Sequence, residues 1–231
     1  MKNILNKARK IAQWGLALFF GTTILSVVVL KFFPVYYTPL MFIRLFQLDE
    51  IKLSHEWVSL DKMSPSMPIA VMGSEDANFQ EHWGFDFKAI QEAAEHNKKY
   101  PKKNKHGAST ISQQTAKNVF LWPGRTKGLV WVRKGLEAYF TILIEVFWSK
   151  ERIMEVYLNS IETGPGIYGV QAVAHEHFGC DVKDLTASQC ALIAATLPNP
   201  RRFSSQHPSR YIKKRQRWIL NNMRYVKPLE K

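Results

Sequence analysis

The sequence predicts a mainly α-helical protein: one N-terminal transmembrane helix followed by a helical body outside the membrane. Three observations predict it. Residues 11–30 (IAQWGLALFFGTTILSVVVL) carry no charge, and at the helical rise this length crosses the ~30 Å hydrocarbon core of a bilayer. Helix-start signals recur downstream: Asp86 before an apolar-periodic run, Thr110 with Gln113 three positions on, and Thr186 with Gln189. Strand signals are few, whereas at least seven further segments follow a helical period.

The first element is read from its flanks. Lys2, Lys7, Arg9 and Lys10 precede the apolar stretch, and only Lys31 follows closely. The positive-inside bias therefore places the N-terminus in the cytoplasm and the rest of the chain outside. No short apolar core ends in a small-x-small site, so an uncleaved anchor is expected over a signal peptide. The excess of 32 Lys+Arg over 19 Asp+Glu, a formal net charge of +13, calls for an anionic partner. External topology argues against nucleic acid and leaves anionic lipid or a phosphorylated substrate. The expected organisation is a basic tail at 1–10, an anchor at 11–31, a membrane-proximal segment at 32–60 and a main domain at 61–231. Pro34, Pro39 and Arg44 argue against a second span in residues 32–46, whose aromatics suit the membrane interface or a core helix.

Residues 47–67 read as a polar connector. Pro68 suits the first turn of a helix running to about Asn78. It carries the apolar run Ile69–Met72 and then the adjacent carboxylates Glu75 and Asp76. A carboxylate closing an apolar run is partly desolvated, which favours its taking a proton. Asp86 is expected to cap a helix from Phe87 to His96, with Phe87, Ile90 and Ala94 on one face. From His96 to Leu136 there is no acidic residue but there are ten Lys+Arg. Of these, the group from Lys98 to Lys105 reads as an exposed loop. The helix opened by Thr110 presents Gln113, Gln114, Lys117 and Asn118 on successive turns, and its N-terminus with Ser109 and Thr110 offers donors to an anion or a sugar.

Trp122-Pro123-Gly124-Arg125 is a turn. A long helix is expected from Thr126 to Trp148, with Arg133 and Glu137 four apart on one face and Lys134 three from Glu137. So apolar a neighbourhood requires those charges to be paired or functional. Residues 150–159 continue as an amphipathic helix, in which Glu155 reads as structural. Thr163–Gly169 reads as a tight glycine-rich loop without the order of a phosphate-binding loop. Val170–Phe178 forms a helix stopped by Gly179. His175 and His177 face different sides of it and are no metal pair. Cys180 and Cys190 either pair or stand as two buried thiols. A last basic amphipathic helix is expected from Pro208 to about Arg224, its charge facing lipid head groups or water.

These blocks together resemble the monofunctional biosynthetic peptidoglycan transglycosylases and the glycosyltransferase domain of class A penicillin-binding proteins. The resemblance runs over roughly residues 60–205. It is carried by Glu75-Asp76-x-x-Phe79-x-x-His82-x-Gly84, Gly107-x-Ser109-Thr110-Ile111-x-Gln113-Gln114-x-x-Lys117-Asn118 and Arg133-Lys134-x-x-Glu137. Tyr157-Leu158-Asn159 with Gly164, Gly169 and Phe178-Gly179 follows, then Ala191–Ala194 with Pro198, Pro200 and Pro208. Gln189 stands where many members have glutamate, and Gly135 sits inside the long helix. The absence of a further domain after residue 231 points to the monofunctional type.

The resemblance implies a lysozyme-like helical domain with a small membrane-facing lobe. It implies a lipid-linked disaccharide-pentapeptide (lipid II) and the growing glycan as substrates, with other cell-wall synthesis or division proteins as partners. Glu75 becomes the catalytic base and Glu137 a second catalytic carboxylate, which would orient cations or a divalent metal (Mg or Mn) near the diphosphate; no organic cofactor is implied. Substrate-binding roles fall to Phe79, His82, Ser109, Thr110, Gln113, Gln114, Lys117, Asn118, Arg125, Arg133 and Lys134. The rival readings are a glycan hydrolase or lytic enzyme, which has no use for a diphosphate-binding cation cluster, and a non-catalytic membrane-tethered scaffold, whose basic residues would be spread over a surface.

Overall fold

The structure is a computed structural model that describes residues 2–47, 51–101, 107–124 and 128–229. It divides after Pro34 into two compact units. Among the described residues it holds ten α-helices and one small sheet.

The first unit is a single helix, α1 (Lys2–Phe32), and Ile4–Phe32 of it is long and apolar enough to cross a membrane. The expected basic tail is thus already helical. The hydroxyls inside the span do not need water. Thr22 donates to the Leu18 carbonyl at 2.8 Å, Thr23 to Phe19 at 2.7 Å and Ser26 to Thr23 at 2.7 Å, which is how hydrocarbon-embedded helices satisfy such groups.

The second unit begins at Val35, so the expected membrane-proximal segment from there to residue 60 packs with the main domain rather than apart from it. Thr38 caps α2 (Pro39–Leu45). Leu40 and Met41 turn inward onto Tyr168, while Tyr36, Tyr37, Phe42 and Phe46 stay exposed; this short stretch is half core and half surface. The connector is tied down by the helix at Lys150–Ser160. Asn159 accepts from the Val58 amide at 2.9 Å and donates to its carbonyl at 2.8 Å, and Glu155 accepts from the Leu60 amide at 3.0 Å.

Helix α3 (Ser66–Glu75) starts two residues before Pro68 and ends three before the expected Asn78. Asp76 leaves the helix at φ −163° because its carboxylate is engaged elsewhere, as described below. Asp86 caps α4 (Phe87–Lys99), its carboxylate accepting from the Ala89 amide at 2.8 Å. One expectation fails here: the helix continues through Lys99, where an exposed loop was expected from Asn97. No residue of α4 is buried, and the apolar face with Phe87 and Ile90 is exposed; periodicity says which face is apolar, not what lies against it. The rest of the expected loop, Lys102, Lys103 and Lys105, lies outside the described residues.

Helix α5 (Ile111–Phe120) starts with the expected capping box at Thr110 and Gln113 and packs against α6 (Val130–Phe147) and α7 (Lys150–Ser160). α6 begins four residues later than the expected Thr126; Gly128 adopts φ +85° just before it. Its inner face carries Glu137, Phe140, Thr141 and Ile144, and Phe140 stacks on Phe120 of α5 at 4.4 Å. Trp131, Val132, Ile142 and Val146 face outward.

The expected glycine-rich loop is a hairpin of β2 (Glu162–Gly164) and β3 (Ile167–Tyr168), with β1 (Ser54–His55) parallel to β3 in the order β1-β3-β2. Gly166 makes the turn at φ +70°, and a Cβ there would lie 2.5 Å from the Lys52 carbonyl oxygen. Helix α8 (Val170–Phe178) ends at left-handed Gly179 as expected. α9 (Ala187–Thr196) carries the second capping box, Thr186 with Gln189, so the glutamine serves as well as the family glutamate for capping. α9 packs on α3 and on α10 (Arg210–Asn222), the basic last helix. Both cysteines are free.

Candidate active site

The two adjacent carboxylates have opposite fates. Asp76 turns into the protein. Its carboxylate meets His82 Nε2 at 3.0 Å and accepts from the Ile111 amide at 2.9 Å, so a negative charge sits at the N-terminus of α5, where the helix dipole favours it. Glu75 lines an open cleft with Ser109, Thr110 and Trp218. Gln114 Nε2 donates to its Oε2 at 3.2 Å and Ser74 Oγ to its Oε1 at 3.1 Å. Tyr157 donates to Gln114 Oε1 at 3.4 Å. Burial, with Glu75 and Asp76 adding to it, pushes the Tyr157 hydroxyl well above the usual phenol range. It therefore stays a donor and fixes the Gln114 amide with its nitrogen toward Glu75.

Arg215 was missed by sequence reasoning. It comes from α10, 140 positions away, and its Nη2 lies 3.0 Å from Ser74 Oγ and 3.5 Å from Glu75 Oε1. The only hint in the sequence was the tail's basic charge, which read as facing lipid or water.

The cations assemble on α5 and α6. Lys117, Arg133, Lys134 and Glu137 line one cleft of about 540 Å³ with Ser109, Gln113, Gln114 and Trp131, within the ~300–1,000 Å³ of ligand sites. Glu137 is buried and bonds Lys134 Nζ at 2.5 Å, with Arg133 Nη1 at 4.0 Å. Lys117 is held below the usual lysine range. Burial is the main cause; Arg133 and Lys134 add to it, and Glu137 and, more weakly, Glu75 oppose it. Lys117 thus feels both candidate catalytic carboxylates. Ser109 joins the Glu75 cleft to the cation cleft. Gln114, Lys117 and Arg133 line both the latter and a third cleft that contains Asn118; these three neighbouring clefts with shared walls are called the groove below.

The remaining expected residues sort by burial. Ser109, Gln113, Gln114, Lys117, Asn118, Arg133 and Lys134 reach the groove. Thr110 reaches it too, but its hydroxyl also donates to the Gly84 carbonyl at 2.7 Å. Phe79 does not: it is fully buried, with Lys150 Nζ 4.7 Å over its ring. His82 points at Asp76 and lines a different, smaller cavity. Neither side chain lines the clefts that hold Glu75 and Lys117. Arg125 lies outside the described residues. Glu155, paired with Arg152, is structural.

A divalent metal fits poorly here. Glu137, its best candidate ligand, faces Lys134 and Arg133 with both oxygens, and no three His, Cys, Asp or Glu side chains converge among the described residues.

Comparison with known proteins identifies the family. The family model described as Transglycosylase matches residues 44–224. The chain belongs to the transglycosylase family. Three relatives named "Biosynthetic peptidoglycan transglycosylase" are similar over nearly their whole length. That of Bacteroides thetaiotaomicron is 57% identical, covering 100% of this chain and 92% of the relative. That of Bdellovibrio bacteriovorus is 52% identical over 93% and 85% respectively. That of Pseudomonas syringae is 46% identical over 98% and 93%.

In this transglycosylase the groove rests on a buried polar layer. Glu145 accepts from Ser112 and from Lys150 Nζ, the latter at 2.8 Å, and Lys150 also donates to the His82 carbonyl at 2.6 Å. Gly84 closes against this layer at φ +78°. A Cβ there would lie 2.6 Å from Thr141 Cγ2 and 3.0 Å from Glu145 Cγ. Gly84→Ala is expected to destabilise the fold by ~2–4 kcal/mol, from left-handed backbone strain and overpacking together. Denaturant unfolding of the detergent-solubilised protein measures this; a loss under ~0.5 kcal/mol, the level of an ordinary surface substitution, would show that the layer yields freely.

Proposed function

We propose that the chain is a peptidoglycan glycan-strand polymerase, transferring the growing glycan from its polyprenyl diphosphate to the 4-hydroxyl of a lipid-linked disaccharide-pentapeptide. One observation carries the reading: Glu75 lines a cleft that shares Ser109 with the cation cleft around Lys117, and Gln114 of that cation cleft donates to the Glu75 carboxylate at 3.2 Å. Glu75 takes the proton of the acceptor hydroxyl as general base. The hydroxyl oxygen attacks C1 of the donor sugar, the C1–O bond to the diphosphate breaks, and the configuration inverts to a β-1,4 link. Lys117, Arg133 and Lys134 stabilise the charge that accumulates on the leaving diphosphate, the electrostatic contribution that usually dominates. Glu137 holds Arg133 and Lys134 in place. Ser109, Gln113 and Asn118 are placed to hold sugar and diphosphate oxygens. No step is routed through a metal.

A lipid-linked substrate agrees with a membrane anchor, and the basic residues in the first turns of α1 support an N-terminus on the cytoplasmic side of the membrane and a main domain on the other. Exposed apolar side chains on α4 and α6, among them Phe87, Trp131, Ile142 and Val146, are suited to a lipid surface. The test is incubation of purified protein with lipid-linked precursor, with and without divalent metal, followed by muramidase digestion of the product. Muramidase-sensitive polymer from the precursor is expected. Cleavage of finished glycan without polymerisation of the precursor would replace this reading with a lytic one.

A further inference from the structure

The third part of the groove has a feature that the proposed chemistry does not use. It is lined by Arg44 of α2, Glu162 of β2 and Arg201 after α9, together with Lys117 and Arg133. Four cations and one carboxylate thus share its lining, and that carboxylate is buried. Burial pushes Glu162 above the usual carboxylate range, against the pull of Arg44 and Arg201. Arg44 Nε stands 3.6 Å from Glu162 Oε2, an ion pair too long for a hydrogen bond. Three buried polar atoms of the residues lining this space, Arg44 Nε, Arg133 Nε and Glu162 Oε1, have no hydrogen-bond partner. Buried polar atoms are rarely left so. Two of the three are guanidinium donors, and the net charge of the wall is positive, so the missing partner is an anion with several acceptor oxygens.

We propose that this end of the groove is a second anion subsite, in which Glu162 is a positioning residue that holds Arg44 and Arg201 as a cationic wall for a substrate diphosphate. It deepens the reading above and rests on its diphosphate substrate. Glu162 works by tethering. Without it, Arg44 and Arg201 repel each other and the Lys117 cluster, and they swing toward solvent.

The probe is inorganic pyrophosphate, titrated calorimetrically into the full chain in nonionic detergent, so that the readout does not depend on turnover. Arg44→Gln and Arg201→Gln are each expected to weaken pyrophosphate about ten-fold, the scale of a lost charge-assisted hydrogen bond. Glu162→Gln is expected to weaken it about five-fold by the same reasoning, with Glu162→Asp recovering part of the loss. A carboxylate with no positioning role predicts the opposite sign, because deleting a negative charge beside an anion tightens binding. Unchanged or tighter binding in Glu162→Gln therefore overturns the proposal. If the buried substitution unfolds the protein, Arg201→Gln at the exposed rim still decides: unchanged affinity there overturns it. Phosphatidylglycerol doped into the micelles is expected not to displace pyrophosphate; displacement would assign the wall to a lipid head group and overturn the substrate assignment. A protein that binds pyrophosphate as expected but fails to polymerise precursor would refute the polymerase reading and leave the subsite standing.

Discussion

Glu75→Gln is expected to lower the rate of glycan polymerisation by at least ~10³-fold, toward the upper end of what a lost general base costs, with the unfolding midpoint nearly unchanged. The substitution keeps the shape of the side chain and removes its ability to take a proton. It also turns one acceptor into a donor, in a place where Gln114 Nε2, Ser74 Oγ and Arg215 Nη2 all point inward. That mismatch costs stability on the order of 1 kcal/mol, far too little to unfold a domain. Initial rates with lipid-linked precursor, alongside denaturant unfolding, measure both. Near-normal polymerisation by the variant would remove Glu75 from the mechanism. An equal fall in stability and activity would make it a structural carboxylate.

Lys117→Met is expected to move activity and stability in opposite directions. The lysine is crowded by Arg133 and Lys134 and partly desolvated, so replacing it by an apolar side chain of similar length is expected to be neutral or stabilising. The same change removes a cation from where diphosphate charge develops, at an expected cost of 10²–10³-fold in kcat. A pH profile adds a second test. Because Lys117 is held below the usual lysine range, the ammonium is lost as pH rises through that lowered value, and activity should fall with it earlier than a solvated lysine would allow. Stability should do the reverse. Between the lowered folded value and the ordinary unfolded one, the unfolded chain binds more protons, so stability rises with pH there. Lys117→Arg, which does not titrate, should carry activity past that alkaline fall if a charge is all the site requires. An alkaline limb that stays where it was in Lys117→Arg belongs to another group.

Much of the scaffold was legible because its signals are local. Thr110 with Gln113 and Thr186 with Gln189 are capping boxes in the sequence and in the structure, since a cap needs only residues three apart. Arg133 and Glu137 share a helix face for the same reason. The block from Glu75 to Gly84 was legible as a block, but only the family resemblance, not the local pattern, set Glu75 apart from Asp76. Glu75 and Asp76 look equivalent in the chain; one lines the groove and the other is buried against His82 and α5. Phe79 and His82 read as substrate contacts, but neither lines the clefts that hold Glu75 and Lys117. The glycine-rich loop became a hairpin because β1, more than a hundred residues earlier, pairs with it.

The long apolar N-terminal helix and the capped starts of α4, α5 and α9 were settled by the sequence alone, because length, charge and short-range hydrogen bonding depend on neighbours along the chain. Which carboxylate is exposed, that Arg215 reaches Glu75, and that Arg44, Glu162 and Arg201 share a wall were decided only by the tertiary structure. Burial and charge pairing depend on neighbours in space, and here those neighbours come from opposite ends of the chain.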